Sequence, residues 1–74
     1  MTMILKKATI GSHEIILSWD KHDFLIVTVW KIESCKDGST SYYKEASRYF
    51  GNMEKEAKRS FAYYVRKYRK EADY

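Results

Sequence analysis

The chain has no proline, three glycines and a single cysteine in 74 residues. One cysteine, Cys35, permits no intrachain disulfide, so the chain is not a small disulfide-stapled secreted scaffold, and a reducing, cytoplasmic setting is expected. The longest apolar run is Phe24 to Trp30, interrupted by Thr28. It falls far short of the roughly 18 apolar residues that a membrane helix needs. Met1 to Leu5 is too short for the apolar core of an export signal before Lys6 and Lys7. The reading is therefore a soluble protein with no membrane partner. Gly11, Gly38 and Gly51 form no phosphate-cradling pattern. There is no C-x-x-C and no H-x-x-x-H spacing, and His13, His22 and Cys35, with Glu14, Asp20 and Asp23, are the only material for a metal or catalytic site. The histidines read as surface residues of turns and Cys35 as an unreactive thiol. No catalytic residue, metal or cofactor is expected, and the chain does not read as an enzyme.

What the chain does have is aromatic and basic side chains. A 74-residue chain holds one core, so residues 1–74 form a single domain. A domain this small buries only about 60% of the surface that its unfolded chain exposes. Seven tyrosines, three phenylalanines and two tryptophans offset part of that deficit, because aromatic rings bury much area per residue. Self-association can supply the rest, since one helix on a small sheet leaves the other face without cover.

The pattern along the chain predicts an α+β fold: an antiparallel β-meander of three to four strands packed by one C-terminal amphipathic helix. Met3 to Ile10 reads as an edge strand with lysines, in which Ile4, Ala8 and Ile10 alternate imperfectly. After Gly11 and Ser12, Glu14 to Asp20 alternates Ile15, Leu17 and Trp19 against polar neighbours, with Ile16 out of pattern. Phe24 to Glu33 is apolar on both parities until Lys31, as a central strand covered on both sides would be. Trp30 shares its parity with Phe24, Ile26 and Ile32, which places that set against one packing layer. Asp37-Gly38 is a strong hairpin signal, because both residues tolerate positive φ.

Ser41 to Phe50 fits two readings. As a strand it puts Tyr42, Ala46 and Phe50 on one face and Tyr43 and Tyr49 on the other; as a helix, Tyr42, Ala46, Tyr49 and Phe50 also fall at helical spacing. The preceding turn favours the strand. From Asn52, a good N-cap, a helix follows with Glu54 and Glu56 in its first turn and a basic end. Met53, Ala57, Phe61, Tyr64, Val65, Tyr68 and Ala72 make its apolar stripe.

The helix's opposite face carries Lys55, Arg59, Tyr63, Arg66 and Lys70, flanked by Lys58, Lys67 and Arg69. Between Lys58 and Lys70 there is no acid, and Lys55 with Arg59 and Arg66 with Lys70 are like-charged pairs at i, i+4, a spacing that costs helix stability. Such a face suits phosphates: Arg offers forked donors, Lys a point charge, and Tyr63 a stacking ring. A solvated face serving the helix dipole is the bland alternative. Trp19, Trp30, Tyr42, Tyr43 and Tyr49 form a second candidate surface, either core or a platform for single-stranded nucleic acid.

The expected function is thus a small non-catalytic binding module, nucleic-acid-associated through the basic helix face. The alternative is a protein-interaction or self-associating accessory protein, such as a phage or mobile-element regulator or inhibitor, using the aromatic sheet face. A meander followed by a closing helix is similar in element order to small DNA-binding modules such as the N-terminal domains of some transposon integrases, which dock their sheet in a groove.

Overall fold

A computed structural model describes residues 3–20, 22 and 24–72, without the side chain of Ala72. Four strands, β1 (Met3–Ile10), β2 (His13–Trp19), β3 (Leu25–Ser34) and β4 (Thr40–Gly51), precede one helix, α1 (Glu54–Ala72). The strands pair antiparallel in the order β1-β2-β3-β4. The predicted meander with a packed C-terminal helix is the observed fold.

Tight turns join β1 to β2 and β3 to β4. Gly11 takes φ 58° and Gly38 takes φ 89°, the positive values expected of the Asp37-Gly38 hairpin. Asp37 holds that turn: its Oδ1 accepts from the Ser39 amide at 2.9 Å and from the Ser39 hydroxyl at 2.6 Å. The Cys35 amide closes it on the Ser39 carbonyl at 2.8 Å. Between β2 and β3, Asp20 Oδ1 accepts from the amides of His22 and Phe24 at 2.8 and 3.0 Å.

The core lies between the sheet and α1. Ile15, Leu17, Leu25, Val27 and Val29 are fully buried, joined by Ala57 and Tyr68 from the helix, with Phe61, Tyr64, Val65 and Phe50 packed around them. The alternation of Ile15, Leu17 and Trp19 thus marks the helix-facing side of β2, as expected. For β3 the expectation needs correcting. Its odd residues face the helix, while Ile26, Thr28, Trp30 and Ile32 lie half-buried on a face that no element of the described chain covers. Both parities are apolar, but only one is packed.

Three bulges explain the irregular patterns. The register shifts between Ile4 and Lys6, so Ile4 stands opposite Ser18 on the open face, whereas Ala8 stands opposite the core residue Ile15. In β4 the register shifts at Glu45 and again at Phe50. Each inserted residue breaks the period of two, which is why Ser41 to Phe50 also matched helical spacing. Consequently Tyr42 and Tyr49 pair with Ile32 and Ile26 on the open face, and Tyr43 pairs with Lys31 on the other.

The helix starts two residues after Asn52. The Met53 carbonyl accepts from the Ala57 amide at 3.0 Å, so Met53 holds the cap position, and Met53 is more than half exposed. Asn52 therefore is not the N-cap and Met53 leaves the apolar stripe. Ala72, its last member, falls outside the described side chains. Glu54 and Glu56 occupy the first turn and Arg69 and Lys70 the last, both as the helix dipole favours.

Candidate nucleic-acid interface

Packing decides which face of α1 meets solvent. Ala57, Phe61, Val65 and Tyr68 turn inward, and this turns Lys55, Arg59, Tyr63, Arg66 and Lys70 outward, all exposed. Their spacing of four, four, three and four residues keeps them in one line, about 22 Å long at 1.5 Å per residue. Among the described residues no carboxylate lies within ion-pairing distance of Lys55, Arg59, Arg66 or Lys70. The structure thus brings together all five residues singled out from the sequence. Tyr63 is 56% exposed at the middle of the row and meets Tyr64 edge-on at 5.4 Å. Tyr63, Arg66, Lys67 and Lys70 line a shallow groove.

The flanking cations differ. Lys58 is partnered, its Nζ 2.9 Å from Glu54 Oε1, and Lys67 sits over the Tyr68 ring at 5.6 Å. Arg69 is exposed.

The aromatic candidates do not form one surface. Trp19 packs beside the core, Tyr43 is on the helix side of the sheet, and Trp30, Tyr42 and Tyr49 share the open face. Tyr42, Tyr43 and Tyr49 are each more than half exposed, so most of the set lies outside the core. Lys44 Nζ stands 5.5 Å from the centre of the Trp30 ring.

A cluster invisible in the sequence joins β2, β4 and α1. His13 is the first residue of β2, not a turn residue; its ring stacks on Tyr68 with centroids 4.1 Å apart, and its Nε2 lies 3.1 Å from Glu45 Oε2. The Tyr68 hydroxyl donates to the same Glu45 oxygen at 2.9 Å. Burial, and then the Glu45 carboxylate, push the Tyr68 phenol up to about 12. Glu45 reaches this spot because it is the bulged residue of β4, and no local pattern announces that. By contrast His22 lies exposed in a turn, as expected, and Asp23 is outside the described residues. Cys35 is exposed, with Sγ 3.2 Å from the Ser41 hydroxyl, and hydrogen bonds from Ser41 and Ser39 lower its thiol below the ordinary value. Among the described residues no three His, Cys, Asp or Glu side chains converge as metal ligands, and no helix is long and apolar enough to cross a membrane.

Comparison of the chain with protein-family models, with curated proteins and with solved structures finds no match. The likeness in element order to integrase DNA-binding modules therefore carries no argument.

Proposed function

We propose that the chain is a non-catalytic binding module that holds nucleic acid along the outer face of α1. One observation carries the reading: four cations and a tyrosine stand in a single exposed row, with no neutralising carboxylate among the described residues. Like charges at i, i+4 cost a helix roughly 0.2–0.5 kcal/mol per pair, and stability alone would favour acids at those places. A phosphate chain converts that cost into binding, because each neutralised phosphate releases condensed counterions. Arg59 and Arg66 would fork onto phosphate oxygens, Lys55 and Lys70 would act as point charges, and Tyr63 would stack on a base.

The test is a titration of a fluorescent single-stranded oligonucleotide at several salt concentrations. Arg59→Gln, Arg66→Gln and Lys70→Gln should each lower the salt slope by about one unit and weaken binding to all sequences alike. Melting temperatures should barely move, because exposed charges contribute little to stability. Tyr63→Ala should lower affinity with the slope unchanged. A parent protein that binds no better than an uncharged control at low salt overturns the proposal.

A further inference from the structure

The sheet face turned away from α1 is built in three rows that run across all four strands. From the register these are Ile4–Ser18–Ile26–Tyr49, Lys7–Ile16–Thr28–Ser47 and Thr9–Glu14–Trp30–Lys44. Ser18, Thr28 and Ser47 form the floor of a hollow of about 280 Å³ walled by isoleucines and Trp30. Ile4 is 53% exposed and Tyr49 is 61% exposed, while Ile16, Ile26 and Trp30 are half-buried only by their neighbours on the sheet. Phe24 extends the face beyond β3, edge-on to Tyr49 at 5.5 Å.

We infer that this face packs against the same face of a second copy of the chain, about a two-fold axis that runs parallel to the strands between β2 and β3. The rows are complementary to themselves under that operation. It sets β2 of one copy over β3 of the other, so Ser18 faces Ile26 of the second copy and Thr28 faces its Ile16. Every large side chain near the axis in these two rows thus meets a small one. At the rim of the face, Ile4 meets Tyr49 of the second copy. The charged row is complementary as well: Glu14 and Lys44 flank Trp30 on opposite sides, and the axis brings Glu14 within one strand spacing of Lys44 of the second copy. Glu14 already has Lys7 at 3.7 Å, so it would enter the interface paired on both sides. The hydroxyls on the floor can bond one another across adjacent strands.

Area points to the same occupant. Four strands spaced about 4.8 Å and about nine residues of about 3.3 Å each present roughly 570 Å² in projection, and side-chain relief raises this towards the ~800 Å² per partner of ordinary stable interfaces. A single strand or peptide laid on the face would cover only part of each row; an identical sheet covers all three across the four strands. The face to be covered is also the one whose burial this chain needs, since among the described residues its helix-side core has just five fully buried large side chains.

The measurement is sedimentation equilibrium of nuclease-treated full chain from micromolar to millimolar concentration, so that bridging by nucleic acid is not mistaken for a dimer. The parent should move from 8.9 kDa towards twice that mass. Thr28→Arg, which sets two cations against each other beside the axis, should hold it at the monomer mass with an unchanged circular dichroism spectrum. Lys44→Glu and Glu14→Lys should each weaken association by about tenfold or more, and the double swap should restore it to within about threefold, since like charges facing each other cost more than ~1.4 kcal/mol. Should Thr28→Arg fail to fold, the charge swap decides alone. A parent that stays monomeric at millimolar concentration overturns the inference and leaves the face to a different protein. So does a dimer that ignores both the steric variant and the charge reversals, because it must use another surface.

Discussion

Tyr68 sits where β2, β4 and α1 meet, with its ring on His13 and its hydroxyl on Glu45, and it is 8% exposed. The contact has a pH signature whose sign follows from linkage. The phenol is raised from 10 to about 12, so folding favours its protonated form. Its contribution is complete below the unfolded value near 10 and is lost as pH rises from there through about 12. An alkaline absorbance titration should show the Tyr68 phenol ionising late, near 12, a step that unfolding abolishes and Tyr68→Phe removes. That variant should also lose about 1 kcal/mol near neutral pH, the net worth of an ordinary hydrogen bond, because Glu45 remains partly solvated. If the step lost in Tyr68→Phe lies near the ordinary tyrosine value of 10, the phenol is not held by Glu45.

At the scale of elements, two positions separate backbone strain from packing. Gly38 has open space around a would-be Cβ, yet its φ of +89° is one that side chains rarely adopt. Gly38→Val should therefore destabilise by about 1–3 kcal/mol through strain alone, and a variant as stable as its parent would mean that the turn is made differently. Ala57 is the reverse case: its backbone is ordinary helix but its side chain is fully buried against the sheet. Ala57→Leu should cost about 1–3 kcal/mol by overpacking, read as a lower melting temperature. Elements with one apolar face were legible in the sequence, as Ile15, Leu17 and Trp19 in β2 and the stripe from Ala57 to Tyr68 show. Where an element is apolar on both sides, as β3 is, the strand was legible but its facing was not. In β3 nothing in the residue types says which parity the helix takes, because the choice depends on how β2 and β4 pair with it. Bulges were equally opaque, since the extra residues at Glu45 and Phe50 only mimic a different period. The basic row was legible because a helix projects residues by fixed angles, whereas the meeting of His13, Glu45 and Tyr68 depends on contacts across the whole chain.

For the whole molecule, the two proposed surfaces lie on opposite sides of a body whose shortest extent is 16 Å. Two copies joined by their open sheet faces would form a four-layer sandwich, helix, sheet, sheet, helix, with a basic row on each outer side. The rows would point away from each other, so one strand of nucleic acid could not lie along both. Binding and pairing should then be separable: Thr28→Arg should keep the parent's salt slope on a short oligonucleotide, and the triple change of Arg59, Arg66 and Lys70 to Gln should keep its dimer mass. Long nucleic acid should tell the parent from both. A dimer with outward-facing rows can hold two segments at once, and the second contact gains from the raised effective concentration near the first. Light scattering of long single-stranded DNA should rise steeply as parent protein is added, and Thr28→Arg, still binding, should produce no such rise. Equal scattering from the two proteins would mean that one copy suffices to bridge strands, and the paired sheet faces would have no part in it.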